Sequence, residues 1–349
     1  MRDALKPLLE QKQPQPPSSA NTGLWLDRFI GDQARRPTQK QERGNQGEDR
    51  GEDESRGRLV EQVARISPPD EYRLHFRRWR ESLGILGAEC REATVQGRMS
   101  VGLGGEGVLE TSITLHRTYG VPYIPGSALK GLAASFAHKH LSEEWMQGGR
   151  FHRCLFGDTS LAGYVTFFDA LLVAPESGQM PKALHADVLT VHHKEYYEGR
   201  KDAPPADWDS PTPVPFLSAT GTYLIALASP EGCDEWRNAA FLILEAALTH
   251  SGVGAKTSSG YGRLKLEPRK KEAGQDIADD LIKQIEALSL NQVAGVIPQR
   301  AQELNKLELA QSQKRRVAEA ILAKIKEAKR EKAVADKEWF KEMLASLNE

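Results

Sequence analysis

Residues 216–267 read FLSATGTYLIALASPEGCDEWRNAAFLILEAALTHSGVGAKTSSGYGRLKLE. The run FLSATGTYLIALA is a strand, residues 234–250 form a helix, and YGRLKLE returns as a strand after a glycine-rich loop. Working outward, GYVTFFDALLV (163–173) is a further strand. Residues 127–141 are a helix, with Ser127 as its N-cap after Pro125-Gly126. EATVQGRMSVGL (92–103) alternates as a strand, and VLETSITLH (108–116) does so again past a glycine cluster. Residues 174–215 are irregular, rich in Pro, Asp, His and Tyr. Reduced to essentials, the order is βαββαβ with an extra hairpin strand and a long insertion. That order predicts an α+β, ferredoxin-like (RRM-like) domain of the split βαβ kind.

The flanks differ in composition. Residues 31–58 hold seven basic and seven acidic side chains and almost nothing apolar. Such a segment cannot bury enough surface to offset its ordering entropy, so 1–60 is expected to be a mostly disordered tail. Within it, Leu24, Trp25, Leu26, Phe29 and Ile30 form an apolar cluster, either a small docked helix or a tethered peptide for a partner. From Pro69, Tyr72, Phe76, Trp79 and Leu83 recur on one helical face. Arg73, Arg77, Arg78 and Arg80 lie around the rest, a solvated basic face or one offered to phosphates. The domain proper is expected over 61–268. Residues 269–349 turn to Ala, Lys, Glu, Gln and Leu and read as a helical extension. Its stripes, Val317, Ile321 and Ile325 among them, are expected to pack on the body or a partner.

Composition narrows the class. The chain has 349 residues, 47 Lys+Arg against 48 Asp+Glu, and a mean hydropathy of -0.52. No apolar run approaches the ~20 residues of a membrane helix. The best candidate, Ala239–Leu244, stops at Glu245. The N-terminal residues carry no apolar signal core, and Cys90, Cys154 and Cys233 form no CxxC pair. A soluble cytoplasmic protein is expected, neither secreted nor membrane-bound, with no metal and no cofactor implied.

Three motif matches fail on context. Gly102-Leu-Gly104-Gly-Glu-Gly107 fits GxGxxG, yet a strand follows where a dinucleotide site needs a helix. The loop from Gly252 to Gly262 lacks the Walker A glycines and runs from helix to strand, the reverse order. It keeps a physical meaning, because Gly252, Gly254 and Gly260 expose backbone amides to an anion beside Lys256, Thr257 and Ser258. Ser127-Ala-Leu-Lys130 is an SxxK without the companion motifs of a serine acyl-enzyme. It reads instead as a helix start whose dipole and ammonium favour an anion. His185, Asp187, His192 and His193 lack the spacing of a metal centre.

Taken together, GRMSVGLGGEGVLETSITLHRTYGVPYIPGSALKGL (97–132), CLFGD (154–158), GYVTFFDALL, HADVLTVHHKEYY (185–197), PTPVPFLSATGTYLIAL (211–227) and HSGVGAKTSSGYGR (250–263) resemble the RAMP superfamily of CRISPR proteins. The likeness is greatest to the family of the sixth Cmr subunit of type III-B effector complexes, and covers roughly half the chain. The resemblance implies a subunit that holds CRISPR guide RNA without cutting it, near the guide 3′ end, where target RNA pairs beside other Cmr/RAMP subunits. It puts RNA phosphates at Gly126, Ser127 and Lys130, and at Gly252–Gly262 from the other side. Arg98, and Arg117 with His116 and Tyr119, join the same groove. His192, His193 and Tyr196 sit on a thumb-like insertion. An RNP1 aromatic string is lacking, so base stacking on the sheet is not expected.

Charge limits this reading. Residues 61–268 carry 20 basic and 24 acidic side chains, a net of -4, so the isolated chain is expected to bind RNA weakly. Two rivals stand beside the RNA-holding role. One is a RAMP endoribonuclease using His250 or Asp187, which would process guide RNA or cleave target RNA. The other is a binder of small phosphates through the same loop.

Overall fold

The computed structural model describes residues 15–17, 20–28, 46–105, 109, 111–197, 199, 204–209, 211–269, 275–307, 309, 311–329, 331–341 and 343. Two compact units result, 1–268 and 269–349.

In the first unit the helices are α1 (Thr22–Arg28), α2 (Gln46–Ala64), α3 (Glu71–Ile85), α4 (Gly126–His140), α5 (Arg150–Phe156), α6 (Lys194–Tyr197) and α7 (Asp234–His250). The strands are β1 (Glu89–Val95), β2 (Tyr123–Ile124), β3 (Thr166–Phe167), β4 (Ala170–Leu172), β5 (Leu184–Val191), β6 (Thr212–Ala219), β7 (Thr222–Ala228) and β8 (Leu264–Leu266). The main sheet has the order β2-β4-β7-β1-β8, with β3 also on β7, and all pairings are antiparallel. β5 and β6 form a separate two-stranded sheet.

Both faces of the main sheet are covered. Side chains alternate along a strand, yet Tyr223, Leu224, Ile225, Ala226 and Leu227 on β7 are all buried. On one face Arg91 stacks over Phe241 of α7 at 4.0 Å, and Glu89 pairs with Arg91 and Arg237. On the other lies α3, whose Tyr72 donates its hydroxyl proton to the Leu172 carbonyl at 2.7 Å. Trp79 of the same helix meets Phe168 edge-on. The sheet surface that an RRM offers to bases is therefore occupied by α3. Each large side chain buried this way contributes about 1.5–3 kcal/mol.

Several sequence expectations change here. Of the stretch expected to be disordered, 46–58 belongs to α2; Leu59, Val60, Val63 and Ala64 at its end are buried, and α2 packs on β5 and β6. Residues 31–45 lie outside the described residues, as do Phe29 and Ile30. Trp25 and Leu26 are buried in the chain's own core, and Asn21 donates to the Arg117 and Thr118 carbonyls. Strand 92–103 ends at Val95, because Gly97 turns the chain with φ 91° and Met99 bridges to Ala219. Residues 109–116 are not a strand among those described. Thr114 and Ser112 donate to the Val101 and Leu103 carbonyls, and the Gly105 amide donates to the Gly102 carbonyl in a turn. The run 216–228 splits at Gly221 (φ 108°) into the end of β6 and β7. The insertion 174–215 is less irregular than expected, since the alternation of LHADVLTV produces β5.

The second unit holds α8 (Gln275–Glu286), α9 (Val293–Lys306), α10 (Gln311–Glu327) and α11 (Glu331–Val334). The Val317, Ile321 and Ile325 stripe packs inside this unit, against Leu281, Ile285 and Ile297. The stripe expected to pack on the body or a partner is thus buried within its own unit. No helix among the described residues is long and apolar enough to cross a membrane.

Candidate nucleic-acid interface

The glycine loop is built by its neighbours. Helix α7 ends when the Ser251 and Gly252 amides both donate to the Ala247 carbonyl, at 2.8 and 2.9 Å. The loop then lies on residues 98–100. Ala255 donates to the Ser100 carbonyl at 2.7 Å and Gly262 to the Arg98 carbonyl at 2.8 Å. Glycine is required for this approach. At Gly254 (φ 89°) a Cβ would sit 2.3 Å from the Ser100 oxygen, and at Gly262 (φ 71°) 1.9 Å from the Val253 oxygen. Lys256 also adopts a left-handed conformation, φ 58°, which lifts Thr257–Ser259 into a 3-10 turn. The amides of Gly254, Lys256, Thr257 and Ser258 donate to no described group.

Below the loop is one polar strand face. β5 and β6 pair His185 with Ser218 and Asp187 with Phe216, and Met99 bridges Ala219. By alternation, Arg98, Ser100, His185, Asp187, Phe216, Ser218 and Thr220 then share the side facing the loop. Tyr261 donates its hydroxyl proton to Asp187 Oδ2 at 2.7 Å, and the Val188 amide donates to Oδ1 at 3.0 Å. His185 Nε2 lies 3.0 Å from Thr220 Oγ1. Lys256 Nζ stands 5.8 Å from both the Phe216 and Tyr261 ring centres. Burial, then the bond to Asp187, pushes the Tyr261 phenol up to about 12. Burial, then the Arg98 and Lys182 charges, holds His185 below the usual imidazole range. Arg98 Nη1 and the hydroxyls of Ser100 and Ser218 are buried without a hydrogen-bond partner among the described residues. Buried donors of this kind are costly to leave without a hydrogen bond.

The start of α4 is a different place. The Gly126 amide donates to Asp169 Oδ1 at 2.7 Å, so a carboxylate of the chain already occupies it. Gly126 is glycine because a Cβ would meet the Phe167 oxygen at 2.2 Å. The N-cap is Pro125, not Ser127, which is exposed inside the first turn, and Lys130 is half-buried. Around Asp169, His116 rings with His75 (4.9 Å), Tyr119 (5.1 Å) and Tyr123 (6.4 Å). Burial lowers the His116 pKa, with Asp169 opposing. Arg117 is exposed on the same loop.

The two expected halves of one groove are thus separated. Phe168 bonds to Ala226 on β7, whereas the loop enters β8 at the level of Gly221. Five residues along a strand are ~17 Å, and three strand spacings across are ~14 Å. Lys130 and Lys256 do not converge. Arg98 joins the loop; Arg117 and His116 join the helix start. His192 lies on neither, five residues and about 16 Å beyond Asp187. There, with Thr190, Val191, His193 and Tyr197, it lines a shallow pocket. His193 Nδ1 pairs with Asp209 Oδ2 at 2.8 Å.

Sequence reasoning missed Tyr261, Phe216, Ser100, Ser218 and Asp169 as site residues. The alternation in HADVLTV was the available signal for the polar face, and a lone acid within GYVTFFDALL for the helix start. The residues proposed for nuclease chemistry are placed differently: both Asp187 oxygens are engaged, and His250 is exposed at the end of α7. Among the described residues no group of three His, Cys, Asp or Glu is arranged to hold a metal.

The RAMP superfamily model matches residues 92–265. The CRISPR system Cmr subunit Cmr6 of Pyrococcus furiosus is 33% identical over 248 residues, 55% of this chain and 72% of that protein. The chain belongs to the Cmr6 family of RAMP proteins. A chain in the cryo-EM structure of the type III-B Cmr-beta bound to cognate target RNA aligns with a TM-score of 0.50 and 21% identity. That alignment covers 66% of this chain and 77% of the other. The crystal structure of Cmr6 from P. furiosus aligns with 31% identity and a TM-score of 0.34, over 52% of this chain and 98% of its own. The RAMP match contains the glycine loop, the polar face and the α4 start. Helix α3 and the unit 269–349 lie outside it.

Proposed function

We propose that this Cmr6-family chain is a non-catalytic subunit of a cytoplasmic type III-B Cmr complex. It binds guide RNA near its 3′ end, beside target RNA and other Cmr subunits. The observation that carries this reading is the pairing of unused donors around the glycine loop. Arg98 Nη1, the amides at 254 and 256–258, and the Lys256 ammonium together supply what a phosphodiester requires. The antiparallel order β2-β4-β7-β1-β8, with α4 and α7 as crossovers, supports the ferredoxin-like reading of the domain. Kinship to Cmr6, and the fold shared with a chain of a Cmr-beta complex, support the assembly role.

Because a net charge of -4 over 61–268 weakens any RNA contact made alone, retention arises from several subunits lining one strand. Co-expression with the other Cmr proteins tests this: a tagged chain should co-purify with them and with short RNAs. Complexes carrying the wild-type chain, Asp187→Ala or His250→Ala should cleave guide-bound target equally. Cleavage lost with either variant would establish a nuclease instead.

A further inference from the structure

The solvent side of α3 carries an excess of positive charge, with Glu81 between Arg77 and Arg78, that the loop site does not use. EYRLHFRRWRESLGI holds four arginines and no lysine against two glutamates, within a chain that as a whole has 47 basic and 48 acidic residues. Tyr72, Phe76 and Leu83 are buried. At 3.6 residues per turn, Arg77 and Arg80 therefore share one outer flank and Arg78 lies across from them. All three are exposed, and no hydrogen bond or ion pair of their side chains occurs among the described residues. Arg73, by contrast, is consumed by the Pro175 and Gly178 carbonyls and by Asp70. Tyr119 rings with His75 of this helix at 4.9 Å, and Arg117, two residues before it, is exposed.

We infer that this outer face of α3 is a second RNA-backbone contact, made through Arg77, Arg78 and Arg80. Guanidinium forks match phosphate oxygens in pairs, which lysines do not. The Arg77–Arg80 flank has no apolar centre of the kind a protein interface is built around. Three desolvated or paired arginines would cost stability in the free chain, whereas three solvated ones stand ready to release counterions from a polyanion.

This inference rests on the RNA-binding reading, and the test separates the two. Fluorescence polarisation of the full chain with a labelled mixed-sequence single-stranded RNA is followed from low to moderate salt. The variants are Arg77→Gln/Arg78→Gln/Arg80→Gln, the matching Arg→Lys triple, and Lys256→Ala. The Gln triple should flatten the log–log salt slope by about 2, from ~0.7 per phosphate contact, and weaken low-salt binding ~10-fold or more. The Lys triple should keep most of the slope, which also shows that the face tolerates substitution. Wild-type affinity and slope in the Gln triple would overturn the inference, whatever Lys256→Ala does. Weakening by the Gln triple with none by Lys256→Ala would uphold it and reject the loop. No RNA binding by the wild-type chain at the lowest salt would overturn the inference, while co-purification of the chain with short RNAs in the complex decides the RNA-binding reading separately.

Discussion

Tyr261 and Asp187 join two elements that the chain separates by 74 residues: the phenol donates to the carboxylate at 2.7 Å. The bond fastens the glycine loop to the β5–β6 sheet and keeps Asp187 engaged. Removing it by Tyr261→Phe should cost about 1.5–3 kcal/mol, as for a hydrogen bond to a charged group. Urea unfolding measures this. An unchanged midpoint would show that the loop is held by its backbone bonds alone.

Glycines of the loop should differ sharply in tolerance. Gly260 has φ 87° with open space around a Cβ, so Gly260→Ala meets only the left-handed penalty, about 1–2 kcal/mol. Gly262→Ala adds a clash with the Val253 oxygen and should fall in melting temperature well below Gly260→Ala. Equal melting temperatures would mean that the loop relaxes freely away from Val253.

Acid should destabilise the fold before the carboxylates titrate. Burial holds His75, His116, His152 and His185 below their ordinary value of 6.5. Above pH 6.5 each is neutral folded and unfolded, and the stability is intact. As pH falls from 6.5 through the lowered folded pKa values, the unfolded chain takes up protons first and stability is lost. Thermal melts at pH 7.5 and 5.5 should show a drop, and His75→Gln/His116→Gln should shrink it. A drop of equal size in the double variant would place the sensitivity elsewhere.

The helical unit has its own core, so damage there should stay there. Ile321 is fully buried among helices of 269–349, and Ile321→Ala should cost about 2–5 kcal/mol. Hydrogen exchange should speed up across α8–α10 and leave β7 and α7 protected. Loss of protection throughout the chain would show that the two units unfold as one.

Much of the fold was legible from period and punctuation. Helix α7 matches 234–250 because Asp234 and the loop glycines bound a clear apolar stripe. The β5 strand escaped notice because its outer residues, Ala186, Val188 and Thr190, are exposed and mixed in character. Asp169 breaks GYVTFFDALLV into β3 and β4 to reach the Gly126 amide, a tertiary bond across 43 residues that no local pattern announces. The loop itself was readable from its glycines. Its partners on the polar face were not, since strand pairing decides them. The separation of Lys130 from Lys256 likewise follows from register along β7 rather than from any motif.

Guide occupancy of a reconstituted Cmr complex carrying Arg98→Met with Lys256→Ala is the most direct measure of whether the loop holds RNA. Bound guide should fall several-fold at moderate salt, with subunit composition unchanged, while Lys130→Ala alone leaves occupancy near wild type. Full occupancy in the Arg98/Lys256 variant would show that the strand runs elsewhere on the protein.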